Sequence, residues 1–207
     1  MSGRRRSDET LGEYRDKRDF RRTGEPSGSR GRRRKEPVFV VQRHDASSLH
    51  FDVRIQVGDV LVSWAVPKGP SLDPRDKRLA HRTEDHPLDY ADFEGVIGKG
   101  QYGAGSVVVW DTGPFENVTE RDGAPVELAD AVERGHVKVV LHGRKLTGAF
   151  AFTHTKVGGD EANWLLVKVD DEGADRRRKP ATTQPESVLT GRTNEEVAAE
   201  DRHEERS

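Results

Sequence analysis

The chain contains no cysteine, which excludes disulfides and thiolate metal ligands and fits a reducing interior. It has no apolar run approaching the length of a membrane span, and its first residues lack the apolar core of a signal peptide, so a cytoplasmic protein with no membrane partner is expected. Hydrophobic residues are scarce, at 32% against 35% charged, so any core must be concentrated somewhere. Net charge is close to zero, at −2, but its parts are segregated. Residues 1–36 carry 13 Lys/Arg against 7 Asp/Glu, whereas residues 171–207 carry 7 against 10. The apolar material lies between these ends, in a stretch of ordinary domain size. A length of 207 residues then predicts one domain with tails. The parts expected are a basic arm over 1–36, partly disordered, a domain over 37–170, and a disordered polar tail over 171–207. Within the arm, Leu11, Tyr14 and Phe20 give residues 11–26 the means to dock on the domain. The basic cluster Arg32–Lys35 reads either as a solvated charge run or as a phosphate-contacting arm.

What is present is organised around His44-Asp45-Ala46-Ser47-Ser48-Leu49-His50-Phe51-Asp52-Val53-Arg54. From His50 this reads as a strand, with His50, Asp52, Arg54 and Gln56 on one face and Phe51, Val53, Ile55 and Val57 on the other. Gly58-Asp59 suits a two-residue type II′ turn. That turn would set Phe51, Val53, Ile55 and Val57 against Val66, Trp64, Val62 and Val60, all apolar. On the other face Asp52 would lie opposite Ala65 and Arg54 opposite Ser63, small partners that leave room for a ligand.

Elsewhere Val38–Gln42 reads as a strand, while residues 71–94 show no clean period and a high density of ionisable groups, as in an irregular loop. Gly98–Gly105 lacks the Gly-Lys-Ser/Thr ending of a phosphate loop and is followed by a strand, so it reads as a tight turn, nucleotide binding being the weaker alternative. Further strands are expected over 106–111, 137–141, 149–155 and 164–169, and a helix over 126–134 closed by Gly135. Many short strands with one clear helix favour a β-barrel or sandwich.

The chemistry of the central stretch is specific. His44, His50 and Asp52 offer two imidazole nitrogens and a carboxylate oxygen, which suit a divalent transition ion with positions open for water or substrate. Such an ion can hold a phosphoryl oxygen and lower the pKa of a bound water. Arg54, next on the same face, has the fork for bidentate contact with phosphate. The plainer alternative is a loop histidine beside a surface ion pair between Asp52 and Arg54.

Five ordered motifs extend the argument. Val40–Arg54 resembles the signature of the 3′-phosphoesterase module of bacterial ATP-dependent DNA ligase D. So do Trp64-Ala65-Val66-Pro67-Lys68-Gly69-Pro70, Glu84-Asp85-His86-Pro87-Leu88-Asp89-Tyr90, Phe93-Glu94-Gly95 and Tyr102-Gly103-Ala104-Gly105. Upstream, Tyr14, Lys17-Arg18-Asp19-Phe20 and Glu25-Pro26 also match, so the resemblance runs from about Leu11 to Val169. Gly98 departs from it, standing where the family usually has proline. No polymerase or ligase module is seen, as in a free-standing form.

The resemblance implies a mainly β fold, a small closed barrel of antiparallel strands with one or two flanking helices. It implies one divalent ion, manganese above others, on His44, His50 and Asp52. It also implies a hydrolase that heals 3′ ends in two steps, removing a terminal ribonucleoside and then the 3′-phosphate. Arg54 and His86 match phosphate-contacting residues, Tyr90 lies near them, and Gln42, Lys68, Arg78 and Glu84 match further active-site polar groups. His86 is open to a second role, as general acid to the leaving oxygen. The expected substrate is a DNA or DNA–RNA primer–template 3′ end, in a bacterial or archaeal nucleoid-associated monomer, with a separate ligase and end-binding repair proteins as further partners. Two other functions stay open: a non-catalytic end-binding adaptor, and a phosphoesterase acting on small nucleotides.

Overall fold

The computed structural model describes residues 10–28 and 36–204; the Arg32–Lys35 cluster lies outside the described residues. Its frame is the strand series β1 (Val38–Asp45), β2 (Leu49–Val57), β3 (Val60–Val66), β4 (Arg78–Pro87), β5 (Gly95–Ile97), β6 (Gly105–Asn117), the small hairpin β7 (Glu120–Arg121) and β8 (Ala124–Pro125), then β9 (His136–His142), β10 (Thr147–His154) and β11 (Asn163–Lys168). Pairing runs β1-β2-β3-β4-β11-β10-β9-β6, and β6 returns to β1, which closes an eight-stranded antiparallel barrel. Strand β5 adds to the first residues of β6. The helices are α1 (Gly12–Asp16), a 3-10 turn (Leu88–Asp92), α2 (Leu128–Glu133), α3 (Pro180–Thr183) and α4 (Asn194–Glu204). The closed barrel is the fold expected, with four α-helices among the described residues in place of one or two. No described helix is long and apolar enough to cross a membrane.

The β2–β3 hairpin forms in the register its alternation demands. Phe51 pairs with Val66, Val53 with Trp64 and Ile55 with Val62, and Gly58 takes φ +59° at the turn. This apolar face fills the barrel. The Trp64 ring lies 4.6 Å from Phe152 on β10 and 5.5 Å from Trp164 on β11, contacts that strands so placed make only across the interior. Trp64, Trp110, Phe39, Phe150 and Phe152 are all fully buried. Burial of an aromatic or aliphatic side chain of this size contributes about 1.5–3 kcal/mol. The opposite face of β1–β4, which carries Asp52 and Arg54, therefore points out of the barrel. Residues 10–28 and the 3-10 turn cover it, with Leu11, Tyr14 and Tyr90 buried beneath.

Two stretches differ from expectation. Residues 78–87 form β4 and not an irregular loop. Its buried positions include Glu84 and His86 as well as Ala80, so the strand has no apolar alternation to read, and a bulge between Leu61 and Ser63 interrupts its pairing with β3. Residues 171–204 form an ordered strap on the barrel and not a disordered tail. Trp110 Nε1 donates to Gln184 O at 2.6 Å, Val188 N to Val109 O at 2.9 Å, and Asn194 Nδ2 to Ser106 O at 2.7 Å. Asn194 and Val197 are buried. The strap is fastened chiefly by polar groups, which composition reads as solvated.

Candidate metal centre and phosphate pocket

The loop Ala46–Ser48 joins β1 to β2 so that His44 pairs directly with His50, and Gln42 with Asp52. Directly opposed residues project to the same face. The spacing therefore brings both imidazoles and the carboxylate to one spot outside the barrel. The two rings stand 4.7 Å apart.

Backbone carbonyls orient both rings. His44 Nε2 lies 2.8 Å from Gly103 O, and His50 Nδ1 lies 3.0 Å from Ser48 O. A carbonyl only accepts, so each of these nitrogens bears the hydrogen. The other nitrogens, His44 Nδ1 and His50 Nε2, then offer lone pairs towards Asp52, at 3.6 Å from Oδ2 and 3.8 Å from Oδ1. Those separations are too long for hydrogen bonds. Three donor atoms within 4.8 Å of one another face a common gap, with each imidazole held by the outer hydrogen bond characteristic of metal-ligating histidine. His44, His50 and Asp52 can hold a divalent ion. Burial pushes the Asp52 carboxyl up, but the adjacent Arg54 guanidinium outweighs it and holds the carboxyl well below its usual range.

Gly103 reaches His44 because the Gly98–Gly105 segment is a tight turn, with φ +82° at Gly100 and +74° at Gly103. At Gly105 a Cβ would fall 2.2 Å from Asp45 O, so only glycine lets β6 pass this close to β1.

Beside the donors lies a pocket of about 280 Å³, lined in part by Arg18, Arg54, Glu84, His86 and Tyr90. Arg54 donates through Nε to Gln42 Oε1 at 2.8 Å, through Nη1 to Ser63 Oγ at 2.8 Å and through Nη2 to Asp52 Oδ2 at 3.2 Å. Its guanidinium also lies 4.9 Å from the centre of the Tyr90 ring. Gln42 in turn donates to Tyr90 O and Phe93 O, each at 3.0 Å. It is therefore a brace for Arg54 and for the 3-10 turn, and does not line the pocket.

Arg18 forms the other wall. It donates to Glu25 Oε1 at 2.9 Å, to Tyr14 O at 3.0 Å, to Glu84 Oε1 at 3.1 Å and to His86 Nε2 at 3.3 Å. Because arginine only donates, His86 Nε2 accepts, and Nδ1 bears the hydrogen that goes to Glu84 O at 2.9 Å. Burial, then Arg54 and Arg18, push His86 well below the usual imidazole range. Glu84 is drawn down despite burial by hydrogen bonds from its own backbone, Arg18 and Lys17. Tyr90 donates its hydroxyl to Glu25 Oε1 at 2.9 Å, and burial followed by the Glu25 charge raises it well above the ordinary phenol range.

The expected site residues thus divide. His44, His50, Asp52, Arg54, Glu84, His86 and Tyr90 come together around the pocket. Lys68 and Arg78 do not join them: Lys68 is exposed in the turn after β3, and Arg78, at the start of β4, pairs with Asp76. Arg18 and Glu25 were visible in the sequence only as parts of matching motifs. Their contacts span 66 residues to Glu84 and 65 to Tyr90, so no local pattern announces them.

Residues 42–154 match the family model described as the DNA Ligase D 3′-phosphoesterase domain. The multifunctional non-homologous end joining protein LigD of Pseudomonas aeruginosa is 46% identical over 192 residues, covering 90% of this chain and 22% of that protein. The protein of the same name from Mycolicibacterium smegmatis is 41% identical over 161 residues, covering 77% of this chain and 20% of its own. The multifunctional non-homologous end joining DNA repair protein LigD of Mycobacterium tuberculosis H37Rv is 39% identical over 168 residues, with 78% and 20% covered. The chain spans about a fifth of the length of these relatives. With a family model matched over more than half of its residues, along the strands that carry the donor set, the chain belongs to the DNA ligase D 3′-phosphoesterase domain family.

Proposed function

We propose that the chain is a metal-dependent 3′-end-healing phosphoesterase, a hydrolase that removes a 3′-terminal ribonucleoside to leave a 3′-phosphate and then removes that phosphate to leave a 3′-OH. The observation that carries the reading is the paired orientation of His44 and His50, each giving one nitrogen to a carbonyl and turning the other to Asp52. Manganese is the ion the family resemblance favours, and when bound it supplies a Lewis acid for a phosphoryl oxygen and a water of lowered pKa.

The chain's own residues do the rest. Arg54 commits three of its five N–H donors to Gln42, Ser63 and Asp52 among the described residues, which leaves one on each terminal nitrogen for two phosphate oxygens. These donors are fixed before substrate arrives, so charge building up on the phosphoryl oxygens meets dipoles already aimed. Arg18, held by Glu25, Glu84 and the Tyr14 carbonyl, has one further donor on the nitrogen that reaches His86. His86, neutral and accepting from Arg18, positions that arginine; we assign it this role in preference to general acid. Gln42, Glu25, Glu84 and Tyr90 position the two guanidinium groups.

The names of the relatives support DNA repair by end joining, hence DNA or DNA–RNA 3′ ends as substrate, with a separate ligase and end-binding proteins as partners. We take the protein to be a cytoplasmic, nucleoid-associated monomer whose domain includes residues 10–28 and 171–204.

The test is a gel assay of a primer–template ending in a ribonucleotide, with and without manganese. Shortening to a 3′-phosphate and then a 3′-OH, only with metal, is expected. Binding without any change at the end would instead leave an adaptor. Alanine at His44, His50 or Asp52 is expected to abolish both steps and weaken manganese binding in calorimetry, with circular dichroism unchanged.

A further inference from the structure

Tyr102 is the only aromatic residue among the large exposed side chains of the described residues, at 49% exposure. Nothing in the phosphate chemistry above uses it. Its anchor is rigid, because the next residue, Gly103, hydrogen-bonds His44 through its carbonyl. Its ring stands where two cavities meet. One is the phosphate pocket of about 280 Å³, the other an open cleft of about 500 Å³, and both are lined by Thr83, Glu84 and Tyr102.

The charge of the cleft decides what enters it. Its carboxylates are Glu13, Glu84 and Asp85, and its cations Lys17 and Arg82. Lys17 lies 2.7 Å from Glu13 and 3.2 Å from Glu84, and Arg82 pairs with Asp85. Both cations are engaged by carboxylates, and Glu84 is also paired with Arg18, so neither lining cation is free to take a phosphodiester chain. The two sides of a scissile phosphate differ in this respect. Towards the 5′ end runs a polyanion, whereas the 3′ side is a single uncharged nucleoside. A tyrosine at the entrance supplies what such a nucleoside needs, a flat ring on which any base can stack. The Lys17 ammonium, 4.9 Å from the ring centre, holds the ring in place.

We propose that Tyr102 is the stacking platform for the base of the 3′-terminal nucleoside, and that the cleft beyond it accommodates that nucleoside as leaving group. This rests on the hydrolytic reading above, so the test includes a measurement that does not depend on hydrolysis. A primer–template ending in 2-aminopurine ribonucleoside is mixed rapidly with the full chain and manganese, and the fluorescence is read before cleavage. Stacking quenches it. The wild-type protein and Tyr102→Phe are expected to quench, and Tyr102→Ala to leave the base bright. In steady state, Tyr102→Ala is expected to raise KM for a base-bearing end about ten-fold, to the value for an end with ribose and no base. Equal losses on base-bearing and baseless ends would overturn the proposal, since Tyr102 would then act through Lys17 or through Arg18, whose guanidinium lies 5.6 Å from its ring. Full quenching by Tyr102→Ala would overturn it too. If the wild-type protein cut neither end but quenched through Tyr102, the subsite would stand and the hydrolytic reading would fall.

Discussion

The three internal hydrogen bonds of Arg54 define what that side chain must be. Lysine has one ammonium on a flexible stem and cannot serve Gln42, Ser63 and Asp52 together. Arg54→Lys is expected to lower kcat about 100-fold or more, as for loss of a fixed oxyanion donor. Because Gln42 and Ser63 are buried, it should also cost about 1–3 kcal/mol in urea unfolding for the acceptors left unpaired. His86 gives a sharper expectation. A general acid must be protonated, so kcat/KM would rise as pH falls from 8 to 6 if His86 donated the proton. Its burial between two arginines opposes protonation, so no such rise is expected from it, and His86→Gln, which keeps a donor and an acceptor, should retain the wild-type profile over that range.

Among the elements, the β2–β3 hairpin was legible before any coordinates, because alternation, Gly58 and an all-apolar face agree on one register. The donor set was legible for the same reason, being carried by that hairpin and the strand before it. Strand β4 was not, since the site itself occupies its buried positions with Glu84 and His86. The strap over 171–204 was not, because its anchors are hydrogen bonds. Asn194 is fully buried, accepts from Arg43 Nη1 at 2.6 Å, and donates to Arg43 O at 3.1 Å and Ser106 O at 2.7 Å. Hydropathy carries no trace of such contacts. Asn194→Ala is therefore expected to destabilise the protein by about 1–3 kcal/mol in thermal or urea unfolding. A solvated tail would give no change. Asn194 also joins β1 to β6, next to His44, so manganese affinity should weaken in the same variant.

For the molecule as a whole, the buried imidazole couples stability to pH. Burial and the charges of Arg54 and Arg18 hold His86 well below the usual imidazole value of about 6.5, which the unfolded chain retains. As pH falls below that value the unfolded state takes up a proton that the native state refuses. Stability contributed by neutral His86 is therefore complete above it and is lost as pH drops towards the folded value. Urea unfolding at pH 7 and 5 should show the wild-type chain losing up to about 1.4 kcal/mol per unit more than His86→Gln. The architecture also dictates an order of assembly. Residues 10–28 leave the ribosome before the strands of the barrel, yet the partners of Arg18 on β4 follow 66 and 68 residues later. The N-terminal segment thus waits, undocked, until β4 has been synthesised. The Arg18 wall of the pocket is fixed only then, and a nascent chain stalled before Glu84 carries the metal donors of β1 and β2 with Arg18 not yet held opposite them.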